Sequence, residues 1–227
     1  MHCLSSTLRI KTPRGTSSAF VMDHGGHQWL VTARHVVDRI RGDEIEVLDA
    51  TGVGHSNLRR LPEPAGTHQD VAVFRMWTEG LEFGTAFEAH LLEDISVVQD
   101  AYFLGFPNLG DGLAYVEPAK PLIKAAIVSG QAIDNAGTPV WLLDGMASGG
   151  FSGGPLIIEE KETGAYGVFA VVSGYVPDIP PVHGRMVEPP GAEPEPGRPQ
   201  RGSVRGNTGV VIGFDIRHAV DAIEACW

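Results

Sequence analysis

Ser148-Gly149-Gly150-Phe151-Ser152-Gly153-Gly154-Pro155-Leu156 places four glycines around a serine within nine residues and runs straight into an apolar stretch, Leu156-Ile157-Ile158. Glycine reaches backbone angles closed to other residues and lets a second chain approach the main chain closely. A serine held in such a turn can be presented outward beside backbone N–H groups, as a nucleophile and an oxyanion hole require. The same residues also suit a plain tight turn into a strand. The rest of the chain has to choose between them.

Around this turn the sequence is written in short apolar segments. Leu8-Arg9-Ile10, Ser18 to Met22, Trp29 to Ala33, Glu44 to Leu48 and Asp70 to Met76 read as strands. Asp23 to Gln28 is a hairpin turn built on Gly25-Gly26. A second series follows from near Val97: Ala101 to Pro107, Leu122 to Gln131, Val140 to Leu143, Leu156 to Ile158, Tyr166 to Ser173 and Gly209 to Ile216. Closely spaced strands and glycine-rich turns predict an all-β architecture in two lobes. The first lobe spans 1–80, an acidic and solvated linker 81–96, and the second lobe 97–214. From 215 to 227 apolar residues recur at helical spacing with Asp215 as N-cap, predicting one amphipathic helix. Residues 177–207 hold eight of the 16 prolines and five glycines. That composition cannot repay the entropy of ordering through burial, so an extended, mobile loop is expected.

Composition excludes several functions. A formal net charge of −11 argues against nucleic-acid binding. No apolar run is long enough to span a bilayer, and the N-terminus lacks the basic-then-apolar order of a secretory signal. The two cysteines, Cys3 and Cys226, stand at opposite ends. A reduced, cytoplasmic protein is the expectation.

A hydroxyl nucleophile needs a base to take its proton and a group to orient that base. His35, at the end of the apolar run Trp29-Leu30-Val31-Thr32-Ala33-Arg34-His35-Val36-Val37, is the candidate base. Asp70, opening Asp70-Val71-Ala72-Val73-Phe74, is the candidate orienting acid. Alone, each fits a structural role, a packed histidine or a strand-capping carboxylate. Together, Thr-Ala-x-His-Val, Asp-Val-Ala-Val and Gly-x-Ser-Gly-Gly-Pro-Leu occur in the order His, Asp, Ser. This ordered signature resembles the chymotrypsin-like (trypsin-like) serine proteases, most nearly the HtrA-like and related bacterial peptidases. Gly15 to Val21, Gly105-Phe106-Pro107, Ile127 to Gly130 and Val211 to Ile216 resemble further segments of that group, so the likeness covers nearly the whole chain.

The resemblance implies two six-stranded antiparallel β-barrels with a C-terminal helix and a cleft between the barrels. It implies His35, Asp70 and Ser152 as catalytic residues, with the N–H groups of Gly150 and Ser152 as oxyanion hole, acting on a protein or peptide substrate with no cofactor or metal. Phe151 departs from the pattern: the digestive and clotting enzymes carry there an aspartate that pairs with a newly exposed N-terminus. Phenylalanine cannot form that ion pair, so no such zymogen switch is expected, and neighbouring loops must hold the oxyanion turn. The expectation is a peptidase domain without a following PDZ domain. The likeness further implies a specificity pocket with Met146 near its base and Ser173, Gly174, Tyr175 and Gly213 as walls, favouring an apolar residue before the cut. Asp215, on the same side of its strand as Gly213, is the competing candidate, selecting Arg or Lys, with a helix cap as its simpler role.

The remaining polar residues carry less. His24 and His27 flank Gly-Gly without a third ligand and read as turn residues rather than a metal site, and His55, His68 and His90 show no metal spacing. Trp77 and Trp141 read as core or cleft-wall residues, and the loop 177–207 as a passive insertion or a lid. The leading reading is an active serine endopeptidase. A catalytically silent protease-like binding module, and an effector active only once a regulatory protein partner docks in a larger assembly, stand beside it.

Overall fold

The computed structural model describes residues 3–12, 15–38, 45–48, 54–55, 58–61, 68–76, 86–89, 95–109, 113–115, 120–161, 163–178, 181–182, 202–203 and 206–226. Trp77, His90, the greater part of the linker 81–96 and most of the loop 177–207 lie outside them.

The first half contains β1 (Thr7–Thr12), β2 (Gly15–His24), β3 (His27–Thr32), the short helix α1 (Arg34–Val37), β4 (Val47–Leu48), β5 (Gly54–His55), β6 (Leu58–Arg60), β7 (Ala72–Met76) and β8 (Phe87–Glu88). These strands form one sheet in the order β5-β4-β1-β2-β3-β7-β6, with β8 on β2. The β2–β3 turn is Gly25-Gly26, at φ +61° and +74°. Positive φ at both central residues makes a hairpin turn whose twist matches its strands.

The second half contains β9 (Asp100–Gly105), β10 (Leu122–Ile133), β11 (Pro139–Asp144), β12 (Pro155–Glu159), β13 (Tyr166–Asp178), β14 (Pro181–Val182), β15 (Gly202–Ser203), β16 (Gly206–Asp215) and α2 (Arg217–Glu224). Six of its strands close into a barrel, β10-β11-β16-β13-β12-β9, and β14 pairs with β15 apart from it. Within β10, Ala126 and Val128 turn inward while Ile127 and Ser129 face out, the two-residue alternation of a half-buried strand.

The fold is chymotrypsin-like, mostly β with a C-terminal helix. The predicted strands of both halves form, and one expectation is adjusted. Among the described residues the first half is an open sheet rather than a closed six-stranded barrel. Its outer strands, β5 and β6, contribute two and three residues and do not pair with each other.

Among the described residues, three apolar clusters hold the molecule together. One fills the first half, with Leu8, Ile10, Leu30, Val47 and Phe74. Another fills the closed barrel, with Phe103, Val128, Leu143, Phe151 and Phe169. The third lies between the halves and beneath α2, joining Phe20, Trp29 and Val73 to Val171, Phe214, Val220 and Ile223. Each such side chain contributes about 1.5–3 kcal/mol on burial, so the third cluster fixes how the halves face each other. Helix α2 starts one residue later than an Asp215 N-cap implies: its N-cap is Ile216, which makes no side-chain capping bond, and Asp215 Oδ1, one residue before it, accepts the Arg217 N–H at 2.9 Å. Among the described residues no helix is long and apolar enough to cross a membrane.

Candidate active site

His35 sits in the first turn of α1, directly after β3. That helix start has no side-chain cap of its own, and Asp70, just before β7, serves in its place. Asp70 Oδ1 accepts the His35 backbone N–H at 2.8 Å, and Oδ2 lies 2.6 Å from His35 Nδ1. One carboxylate therefore holds both the backbone and the ring of the histidine. With Nδ1 donating to Asp70, Nε2 is left as the acceptor nitrogen of the neutral ring.

Asp70 is largely enclosed, its side chain 15% exposed, while that of His35 is 43% exposed. Burial pushes the Asp70 carboxyl up. The hydrogen bond and charge of His35, the Ser173 hydroxyl and the His35 N–H together outweigh burial and leave it below the ordinary carboxylate value. The carboxylate is thus ionised at neutral pH.

Ser152 lies in the turn between β11 and β12, where Gly150 has φ +104° and Gly153 +85°. Both glycines are required. A Cβ on Gly150 would stand 2.4 Å from Phe106 O, and one on Gly153 2.1 Å from Ser18 O. Phe151, 1% exposed, points into the closed barrel, its ring edge-on to Phe103 at 4.9 Å between centroids. The position is thus an apolar anchor.

The backbone of the turn is spoken for on one side. Gly149 O accepts Asn108 N, Phe151 N donates to Ser148 O, Gly153 N to Val172 O and Gly154 N to Phe151 O. Among the described residues the N–H groups of Gly150 and Ser152 have no partner. A trans peptide points its N–H opposite to its C=O, so the bond from Asn108 N to Gly149 O aims the Gly150 N–H away from the 106–108 segment.

Ser152 Oγ donates to Ser173 O at 2.9 Å, and Ser173 Oγ donates to Asp70 Oδ2 at 2.6 Å. Ser173 thereby links Ser152 and Asp70. The sequence reading placed it as a pocket wall; its side chain is turned to the carboxylate instead. No local motif marks that role, because the contact spans 103 residues.

Beside Ser152 opens a cavity of about 210 Å³, lined on one side by Ala147, Ser148 and Gly149 and on the other by Val172, Gly174, Tyr175 and Pro177. Gly174 and Tyr175, expected as pocket walls, both line this cavity. Met146 does not line it: the side chain is half exposed, and its carbonyl accepts Lys124 Nζ. Ala147 takes the lining position. Gly213 also lies elsewhere, paired with Val172 and Trp141 inside the barrel. A Cβ there would meet Leu156 Cδ1 at 2.3 Å, so this glycine serves packing. Gly209, four residues earlier, is the β16 glycine beside Met146: its Cβ would lie 3.8 Å from Met146 Sδ. The Asp215 carboxylate is engaged by Trp141 Nε1 at 3.2 Å and by the N–H of Arg217, and it does not line the cavity.

His24 pairs with Glu224 Oε1 at 3.3 Å and His27 Nδ1 meets Gly25 O at 2.9 Å. No group of three or more potential metal ligands occurs among the described residues.

The family profile for the trypsin-like peptidase domain matches residues 17–164. No curated protein sequence matches the chain. Solved structures resemble it throughout. The inactive form of the Rv3671c protease of M. tuberculosis is 13% identical, with a TM-score of 0.60 over 98% of this chain and 89% of that one. The HtrA-type protease AlgW, solved with a tripeptide, is 16% identical with a TM-score of 0.63. The match covers 99% of this chain and 60% of AlgW. The MamO protease domain from Magnetospirillum magneticum, in its apo form, is 16% identical with a TM-score of 0.57, covering 97% of this chain and 96% of that one. At such identities the likeness is one of fold.

Proposed function

The chain belongs to the trypsin-like peptidase family, and on that premise we propose that it is a serine endopeptidase working through Ser152, His35 and Asp70. One observation carries the reading. Ser173 bridges the candidate residues: its carbonyl accepts Ser152 Oγ, and its hydroxyl donates to Asp70 Oδ2, which also lies on His35 Nδ1. Side chains from both halves of the fold are thereby tied at one point.

The chemistry follows from the free valences. Ser152 Oγ rests on Ser173 O, and for attack it must leave that bond, by rotation about its Cα–Cβ bond, for His35 Nε2. Such catalytic contacts commonly tighten only when substrate is bound. His35 takes the hydroxyl proton as Oγ attacks the peptide carbonyl, and Asp70 holds the tautomer and stabilises the imidazolium. The carbonyl oxygen gains its negative charge where Gly150 N and Ser152 N have hydrogen bonds to give. His35 then passes the proton to the leaving amine, forming an acyl-enzyme that water cleaves by the same steps in reverse.

The residue before the cut enters the cavity beside Ser152. Among the described residues its lining carries no charged side chain, and a buried charge without a partner is costly. Small and medium apolar residues are therefore preferred there, and Asp215, occupied by Trp141 and Arg217, exerts no selection for Arg or Lys.

Cleavage of a mixed peptide library tests both statements. Wild type should cut with Ala, Val, Leu or Met enriched before the bond, and Ser152→Ala should lower turnover by a factor on the order of 10⁶. Enrichment of Arg and Lys would refute the pocket assignment. Equal cleavage by Ser152→Ala would refute the mechanism.

A further inference from the structure

Phe151 raises a question that its own side chain does not answer. A hydrocarbon ring fixes the turn from the barrel side, but it places no polar restraint on the peptide planes at Gly150. A glycine at φ +104° has freedom to turn over, and the aim of the Gly150 N–H depends on its not doing so. Something else must hold the turn.

We propose that Ser18, on β2, is the positioning residue that sets the oxyanion turn; this rests on the endopeptidase reading. Ser18 is fully buried, and all of its polar groups are committed at the site. Its Oγ donates to Gly150 O at 2.7 Å and accepts Phe106 N at 2.8 Å. Its backbone N donates to Ser152 O at 3.0 Å, and its carbonyl accepts Thr32 Oγ1 at 2.7 Å. A hydroxyl has one proton. Since Phe106 N donates to Oγ, that proton goes to Gly150 O, and the relay runs one way: Phe106 N–H, Ser18 O–H, Gly150 C=O.

Two peptide planes are thereby fixed from outside the turn. Ser18 Oγ holds the Gly150–Phe151 peptide by its oxygen, and Asn108 N holds the Gly149–Gly150 peptide by its oxygen. Between them Gly150 has no remaining torsional freedom, and its N–H stays beside that of Ser152. The Asn108 arm is itself tied to the first half: Asn108 Oδ1 accepts Thr16 N at 3.2 Å, and Thr16 Oγ1 lies 3.0 Å from Phe106 O. The polar restraint that an ion pair at position 151 would supply comes here from β2.

Deleting the Ser18 hydroxyl leaves Phe106 N and Gly150 O buried without partners. The void is the size of one oxygen atom, too small to admit water as a replacement. Unpaired buried groups are costly, and rotation of the turn at Gly150 is the readiest relief.

The test compares wild type, Ser18→Ala and Ile10→Val, the last a comparably mild loss in the core of the first half. In Ser18→Ala, kcat on a peptide amide substrate should fall about 10- to 100-fold, below the full loss of an oxyanion donor. KM should stay within about threefold. The affinity of a peptide boronate, whose oxygen occupies the oxyanion position, should fall in parallel with kcat, and the crystal structure should show Gly150 displaced from φ +104°. Ile10→Val should keep wild-type kcat. If Ser18→Ala does not fold, Ser18→Cys, with a weaker donor at the same position, carries the same readings with smaller losses. An unmoved turn with unchanged boronate affinity overturns the proposal and leaves the endopeptidase reading standing. A wild-type protein that neither cleaves peptides nor binds boronate overturns that reading, and the turn geometry of the variant still judges Ser18.

Discussion

At the scale of single residues, the site is organised by Asp70 more than by any other side chain. Its two oxygens accept from His35 N, His35 Nδ1 and Ser173 Oγ, and those donors leave its carboxyl below the ordinary value despite burial. A depressed folded value means that the carboxylate contributes stability in full above its unfolded value, about 3.9, and loses it as pH falls through the folded one. Ser173→Ala removes one donor and raises the folded value. At neutral pH the variant should lose about 1.5–3 kcal/mol, as expected for a hydrogen bond to a charged group. The difference from wild type should shrink once pH drops below about 4. Denaturant unfolding at neutral and acid pH reads this directly, and a difference independent of pH would show that the Ser173 hydroxyl does not act on the ionised carboxylate.

Residue types and order were enough to single out Ser152, His35 and Asp70 from the sequence, because each sits in a short stretch with its own local chemistry. The partners that tie them together were not legible. Ser18 reaches Gly150 across 132 positions and Ser173 reaches Asp70 across 103, and such contacts exist only once the halves have packed. That Met146 and Gly213 do not line the cavity beside Ser152 was hidden for a different reason. Side chains alternate along a strand, so a small error in register exchanges inside for outside. Here β13 carries an irregularity between Val172 and Gly174 where it pairs with β16. Gly213 pairs with Val172 inside the barrel, and Gly209, beyond the irregularity, lies beside Met146.

At the scale of elements, the turn between β11 and β12 is clamped from two sides. The first half grips its backbone, and the barrel core grips it through Phe151. The ring is buried and stacked edge-on against Phe103, a geometry favourable beyond area alone. Phe151→Ala should therefore cost about 3–5 kcal/mol, measured by denaturant unfolding. Phe151→Leu, which refills most of the volume, should cost much less. A loss below 1 kcal/mol in the alanine variant would mean that the ring is not a structural anchor. The predicted hairpin at Gly25-Gly26 and the closing helix were legible because their signals are local. That the first half stays open among the described residues was not, since it depends on whether its short outer strands meet.

At the scale of the whole molecule, His35 and Asp70 come from one half, and Ser152 and Ser173 from the other. The apolar cluster between the halves and under α2 sets their separation, and the Ser18 and Asn108 contacts lock the turn to that frame. On the proposed endopeptidase reading, catalytic competence belongs to the assembled pair.

The measurement that reads that property most directly is covalent labelling by a fluorophosphonate probe, followed by intact mass. It needs an activated serine and a formed oxyanion site, but no knowledge of the substrate. Wild type should gain a single adduct at Ser152, Ser152→Ala none, and Asp70→Asn should react slower by a factor on the order of 10⁴. A folded wild-type protein that stays unlabelled, or an adduct that persists in Ser152→Ala, would contradict the account.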